Sequence, residues 1–144
     1  MLISLELWVL WTGEETSMSK LDGAIRDLLE ATEFLAIVTD GGNGPHLVGN
    51  WGDYLRALGT DGNTLILPAG YYHQTEENLR RNGHVLVMAA SRKVSGTHGP
   101  GQGCVLSGRG EVVTTGPQAE KAKAKFPWAR GALLIHVEEA KTQL

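Results

Sequence analysis

Closely spaced apolar segments constrain the fold of this chain more than any other feature. Phe34 to Thr39 is an apolar run, and Asp40 to Pro45 has the composition of a turn before the next run begins at His46. Gly59 to Asn63 then separates that run from the apolar segment Thr64 to Leu67. Parallel strands need a connection of about a dozen residues or more. The spacing therefore predicts a mostly antiparallel sheet or barrel.

Helical periodicity and breaker residues predict three helices among these strands. The predicted helices are Ser19 to Thr32 with Ser19 as its cap, a short helix from Thr75 to about Asn82-Gly83, and a helix opened by Gly116-Pro117 and ended by Pro127. The further predicted strands are His46 to Leu58 with a twist or bulge at Gly49 or Gly52, His84 to Ala90, Cys104 to Thr115, and Gly131 to Glu139. His84 to Ala90 is apolar on both faces, so we expect it to be a central strand. The Gly-rich segment Ser95 to Gly103 is predicted to be a loop.

Composition limits the class of protein. A chain of 144 residues is long enough for one domain, which we place at residues 18–144. The formal net charge is −3 and the pI is about 5.9, so no basic character favours a nucleic acid or an anionic membrane as partner. The single cysteine, Cys104, rules out an internal disulfide framework and indicates a reducing, cytoplasmic compartment.

The first residues allow two interpretations. Met1 to Trp11 is apolar but interrupted by Glu6, has no preceding cation, and is too short to span a bilayer. Met18 follows Gly13-Glu14-Glu15, whose purine-rich codons can spell a bacterial ribosome-binding sequence. Residues 1–17 are then an upstream misreading; in the other interpretation they form an extra strand or arm.

A candidate anion site lies between Gly70 and Leu79. Gly70 permits backbone conformations that other residues avoid, and Thr75 is a good helix N-cap. A helix N-terminus attracts anions. With Trp51 and Tyr54 on what is predicted to be a neighbouring strand, the arrangement suits a ligand that has a phosphate at one end and a planar ring at the other. An ordinary strand, turn and capped helix explains the same residues.

The sequence shows little machinery for catalysis or for metal binding. Its five histidines form no His-x-His or His-Glu-x-x-His pair, and no cysteine accompanies them. Nothing near Cys104 would lower its pKa, and there is no Gly-x-Ser-x-Gly elbow. Ser95 to Gly103 lacks the ending of a P-loop. We therefore name no catalytic residue and no metal ligand, and expect any chemistry to come from a cofactor.

Several motifs together resemble the split-barrel flavoproteins related to pyridoxamine 5′-phosphate oxidase, including the small FMN-binding proteins of sulfate-reducing bacteria. Each motif is weak alone, but the combination covers about Met18 to Leu144. The motifs are Leu35-Ala36-Ile37-Val38-Thr39, Gly44-Pro45-His46-Leu47-Val48, Trp51, Tyr54-Leu55, His73-Gln74-Thr75-Glu76, Ser91-Arg92-Lys93-Val94, Gly99-Pro100-Gly101 and Phe126-Pro127-Trp128-Ala129-Arg130.

The resemblance implies a mainly β fold, a six-stranded antiparallel split β-barrel, that forms a homodimer. It implies FMN bound non-covalently near the subunit interface, with a role in electron transfer. Carried over by position, it implies phosphate contacts from Asn50, Gln74 and Thr75, a ring site lined by Trp51, Tyr54, Pro68, Ala69 and Gly70, and Trp128 reaching the ring from the other subunit.

The chain departs from the family pattern at Gln74, where the family tends to carry lysine. The phosphate then loses a cation, while Glu76 and Glu77 stand in the first turn of the same helix. Phosphate binding would depend more on backbone N–H groups, Thr75 and one of the cations Arg92, Lys93 or Arg80. Weaker FMN affinity, or a different phosphate partner, would follow.

Three functions are compatible with these observations. The first is an FMN-binding flavoprotein that passes electrons to an unknown redox partner. The second is a flavin-dependent oxidase or reductase of a small organic substrate, which should have an Arg or His aimed at the flavin face. The third is a non-catalytic carrier of flavin or haem.

Overall fold

The computed structural model describes residues 20–144. The prediction that residues 1–17 are an extension or a misreading lies outside the described residues. The prediction that Ser19 caps the first helix is wrong, because that helix begins at Gly23 and Asp22 holds the cap position. The described part contains four helices and seven strands. The helices are α1 (Gly23–Ala31), α2 (Gly52–Leu58), α3 (His73–Arg81) and α4 (Pro117–Lys125). The strands are β1 (Phe34–Asp40), β2 (Pro45–Trp51), β3 (Thr60–Asp61), β4 (Thr64–Ala69), β5 (His84–Gly96), β6 (Gly99–Val113) and β7 (Gly131–Thr142).

The strands form one antiparallel sheet in the order β2-β1-β5-β6-β7-β4-β3. Six of them are six or more residues long, and β3 adds a two-residue pair at the edge. The sheet curls around one core without closing, which confirms the predicted mainly β, antiparallel split barrel.

The core lies on the inner face of the sheet and is capped by α1. On β5, Val85, Val87 and Ala89 are buried while their neighbours are exposed, so the strand alternates with a period of two. On α1, Ile25 and Leu28 point into the same core. The prediction that β5 is central is confirmed, because it pairs with both β1 and β6. Its outer face, however, is exposed.

The predicted strand from His46 to Leu58 is wrong beyond Trp51, because Gly52–Leu58 forms α2. Leu55 and Leu58 are three residues apart and both are buried, and Asp53 pairs with Arg56 across the same interval at 2.7 Å. A strand would have placed Leu55 and Leu58 on opposite faces. The helix buries both, Leu55 in the main core and Leu58 in a smaller cluster with Ile66 and Leu134.

The start of the third helix also differs from the prediction. Thr75 is not the N-cap of α3, because the helix begins at His73 and Tyr72 holds the cap position in a left-handed conformation, φ 37°. Positive φ in a bulky residue is rare. Thr75 is therefore in the first turn, with its side chain facing inward.

Two further boundaries differ in length. The segment predicted as a loop, Ser95 to Gly103, instead forms the tip of the β5–β6 hairpin, with Gly99 at φ 133° in the turn. The last strand, β7, extends to Thr142. Pro117 is at the start of α4 as predicted, and the helix ends at Lys125, before Pro127.

Candidate functional site

A cleft of about 420 Å³ opens where β2 passes into α2 and where the loops before α3 and β7 meet. Its volume is in the range typical of small-molecule sites. Its lining is dominated by aromatic and glycine residues: Phe34, Gly49, Asn50, Trp51, Tyr54, Pro68, Gly70, Tyr71, Tyr72 and Trp128.

A three-ring wall consists of Tyr54 and Trp128, which line this cleft, and Phe126, which packs on both from outside the lining. The Tyr54 and Trp128 centroids are 5.6 Å apart, and both rings also contact Phe126, at 4.8 Å and 5.5 Å. A Cβ on Gly70 would lie 2.9 Å from Cε3 of Trp128. Gly70 therefore lets the indole lie directly against the backbone, and Trp128 remains 53% exposed toward the opening.

A second aromatic pair also lines the cleft. Phe34 and Trp51 meet edge to face with their centroids 5.7 Å apart. The Phe34 ring covers Gly49, where a Cβ would approach within 2.0 Å. The close approach of Phe34 to the backbone supports Trp51, which is 50% exposed. Flat apolar surface from the two groups of rings suits a planar ring.

Buried polar groups fix the floor between the walls. The Asn50 amide donates to the Pro68 carbonyl at 3.4 Å, and its Oδ1 accepts from the Trp51 N–H at 2.8 Å. The Tyr72 hydroxyl donates to the Gly49 carbonyl at 2.6 Å. Burial raises the pKa of Tyr72 to about 12, partly offset by a hydrogen bond with Asn50. These bonds tie β2 to β4 and to the entry of α3.

The N-terminus of α3 offers an anion site beside the cleft. The first N–H groups of a helix have no intrahelical acceptor. The Thr75 side chain is fully buried, and its Oγ1 has no hydrogen-bond partner among residues 20–144. A buried hydroxyl without a partner is destabilising. The free N–H groups and this hydroxyl together fit an anionic group such as a phosphate.

The residues predicted from the sequence divide into two groups. Those that the structure brings together in the cleft lining are Asn50, Trp51, Tyr54, Pro68, Gly70 and Trp128. Gln74 and Thr75 lie just beyond it on α3, where the Gln74 amide donates to Oδ1 of Asn78 at 2.8 Å. Ala69 is buried outside the lining, and its carbonyl accepts from the Arg130 N–H.

One expectation about the aromatic residues needs correction, because Tyr54 lies on α2 rather than on a strand. Trp128 packs on Tyr54 and Gly70 of its own chain, so the three-ring wall is built within one chain. That Trp128 reaches the ring from the other subunit stays a prediction.

Sequence reasoning missed three aromatic residues of the lining, Phe34, Tyr71 and Tyr72, and the supporting ring of Phe126. The adjacent pair Tyr71-Tyr72 between a glycine and a helix start was a usable signal. Phe126 stands in a motif with Trp128, but nothing in the sequence places that motif beside Tyr54.

The chain matches the family described as Pyridoxamine 5′-phosphate oxidase over residues 21–143. The chain belongs to this family. It is also 44% identical over 124 residues to the FMN-binding protein of Nitratidesulfovibrio vulgaris (strain DSM 19637 / Miyazaki F), which covers 86% of this chain and 99% of that protein. This outcome confirms the family resemblance drawn from the motifs.

Solved structures with lower identity share the fold of the family. HupZ of Group A Streptococcus superposes with a TM-score of 0.68 at 20% identity, over 85% of this chain and 99% of its own. A putative pyridoxamine 5′-phosphate oxidase from Listeria innocua gives a TM-score of 0.59 at 21% identity, over 82% of this chain and 94% of its own.

The part of the chain that the structure describes has neither a membrane-spanning helix nor a cluster of metal-binding side chains. In residues 20–144, no helix is long and apolar enough to cross a membrane. In the same residues, no three His, Cys, Asp or Glu side chains are grouped so that they could hold a metal ion.

Proposed function

We propose that this chain binds FMN non-covalently and acts as a small flavoprotein in electron transfer. The observation that carries the proposal is the aromatic cleft that ends beside a helix N-terminus with a buried, unpartnered hydroxyl. The cleft suits the planar isoalloxazine and the helix end suits the phosphate. The name of the 44% identical relative, FMN-binding protein, supports the same ligand.

Each part of the site has a separate task in binding. Trp51, Tyr54 and Trp128 would hold the ring between flat surfaces and exclude water from it. Thr75 and the N–H groups at the start of α3 would hold the phosphate, and Asn50 keeps the floor fixed between them. When bound, FMN supplies one-electron or two-electron redox chemistry to a partner protein.

An exposed apolar surface supports a homodimer with FMN near the interface. We call this surface the outer face of β2, β1 and β5. Its exposed side chains are Leu47, Trp51, Phe34, Leu86 and Met88, with Ala36 and Val38 between them on the same side of β1. Contiguous apolar surface of this kind marks an interaction site.

The outer face is continuous with the cleft, because Phe34 and Trp51 belong to both. A second copy seated there would bury the face and close the open side of the cleft. The dimer and the ligand would then stabilise one another by mass action.

The cleft lining favours electron transfer over turnover of a substrate. Among the described residues that line it, none is Asp, Glu, Lys, Arg, His or Cys. A flavin-dependent oxidase of a small organic substrate would need such a group aimed at the ring. That enzyme, or a carrier of flavin or haem, remains the alternative function.

The buried, reduced Cys104 favours a cytoplasmic location.

The visible absorption spectrum of the purified protein, followed by titration of the cofactor-free form, tests the proposal. We expect flavin bands in the spectrum and saturable binding of FMN at one site per chain. A haem spectrum, or failure of the cofactor-free form to bind FMN, would overturn it.

A further inference from the structure

Arg130 joins the loop before α3 to the first turn of that helix. Its Nε donates to the Gly70 carbonyl at 2.8 Å, and Nη2 donates to the Tyr71 carbonyl at 2.9 Å. The same Nη2 lies 2.9 Å from Oε1 of Glu76. The Arg130 N–H also donates to the Ala69 carbonyl at 2.8 Å. One guanidinium group therefore fixes the backbone that leads from β4 into α3.

Glu76 is the acidic residue closest to the proposed phosphate position along α3. Its side chain is 12% exposed, and its two carboxylate oxygens pair with different arginines, Oε1 with Arg130 and Oε2 with Arg80 at 2.9 Å. One carboxylate and two guanidinium groups leave one net positive charge in this cluster. Without the arginines, the cluster would present a partly buried negative charge beside a phosphate.

We propose that Arg130 is the positioning residue that makes the start of α3 accept a phosphate although Gln74 supplies no cation. It compensates the charge of Glu76 and holds the Gly70–Tyr72 backbone so that the helix N–H groups face the cleft. This inference rests on the proposed function, and it concerns the preference for a phosphorylated flavin over the same ring without phosphate.

Electrostatics explains why Arg130 matters more than Arg80. The side chain of Arg130 is 26% exposed, and that of Arg80 is 75% exposed. Solvent screens an exposed pair strongly and a partly buried pair much less. Within residues 20–144, Arg80 makes no hydrogen bond to the loop before α3, so it provides a matched control for the charge on Glu76 alone.

The test is the ratio of riboflavin to FMN dissociation constants in four variants. Arg130→Gln should weaken the binding of both ligands, because the loop loses its tether. The affinity for FMN should fall by about tenfold more than the affinity for riboflavin. Glu76→Gln in that background should restore the ratio to near its wild-type value, while riboflavin stays weakened. Arg80→Gln should change the ratio by less than about threefold. Arg130→Lys, which keeps the charge, should preserve the ratio.

The outcomes separate this inference from the proposed function. If the wild-type protein binds neither ligand, the proposed function fails. If the wild type prefers FMN but Arg130→Gln weakens both ligands equally, or Glu76→Gln restores nothing, Arg130 is structural only and the inference is wrong. Should Arg130→Gln not fold, the Glu76→Gln single variant decides, because an increased FMN preference supports the inference and an unchanged one contradicts it.

Discussion

The Tyr72 hydroxyl donates a 2.6 Å hydrogen bond to the backbone carbonyl of Gly49. The bond joins the residue before α3 to the strand that carries Trp51, so the proposed phosphate end and ring end of the cleft share one support. Tyr72 also adopts a left-handed backbone conformation, φ 37°, which costs energy for a side chain of this size. The strained residue is thus located between the two halves of the site.

This bond gives a pH-dependent prediction for stability. Burial raises the pKa of Tyr72 to about 12 from 10.0. Below pH 10 the phenol is protonated in both states and has no pH-dependent effect. Above pH 10 it ionises first in the unfolded chain, so the unfolding free energy should fall by about 2 kcal/mol as the pH approaches 12. Denaturant unfolding of wild type and Tyr72→Phe checks this.

The Phe variant lacks the ionisable group, so its unfolding free energy should fall less over the same pH interval. Ionisation of other Tyr and Lys residues affects both proteins and cancels in the comparison. Parallel pH profiles for the two proteins would show that Tyr72 titrates normally.

The loop that carries Tyr72 also shows where the sequence was and was not sufficient. The short turns between the apolar segments were sufficient to predict the antiparallel sheet, because parallel strands need longer connections. Tyr72 combines a positive φ with a tertiary hydrogen bond to Gly49, and no local sequence pattern reports either feature. The start of α3 was therefore misplaced by two residues or more.

The helix α2 was missed for a related reason. Seven residues give little periodicity, and the strand before it ends only at Trp51. Its end was readable from Gly59, which closes it with φ 77°. For the site, the family resemblance named six cleft residues. The contact of Phe126 with Tyr54 could not be predicted, because it joins segments far apart in sequence.

Gln74→Lys should tighten FMN binding by about tenfold, or 1.4 kcal/mol, because one charge-assisted contact to the phosphate is added. The gain should shrink at high salt, and riboflavin affinity should hardly change. Thr115→Lys, at an exposed position outside the cleft lining, controls for the added charge. Equal tightening of FMN and riboflavin would place Gln74 away from the phosphate.

Trp128→Ala should weaken FMN by about 1–3 kcal/mol, the usual effect of removing an anchoring aromatic residue. In the wild type, tryptophan fluorescence should be quenched on FMN binding. Leu144→Ala is the control, because Leu144 is a large apolar residue that is 60% exposed and lies outside the cleft lining. An unchanged FMN affinity in Trp128→Ala would remove the three-ring wall from the ligand site.

Met88→Lys should shift the protein toward monomer, because it places a charge on the outer face of β2, β1 and β5, where Met88 is 45% exposed. Sedimentation velocity with and without FMN measures the effect. Lys125→Glu changes a charge at an exposed position at the end of α4, away from the outer face, and is the control. A dimer unaffected by Met88→Lys would assign the interface to another surface.

The most direct test of the account is calorimetric titration of FMN and riboflavin into wild type and Thr75→Val. Valine removes a buried hydroxyl that has no partner in residues 20–144, so the cofactor-free variant should melt higher than the wild type. FMN should nevertheless bind about tenfold more weakly, while riboflavin affinity is unchanged. Equal FMN affinity in the two proteins would contradict the assignment of the phosphate to the start of α3.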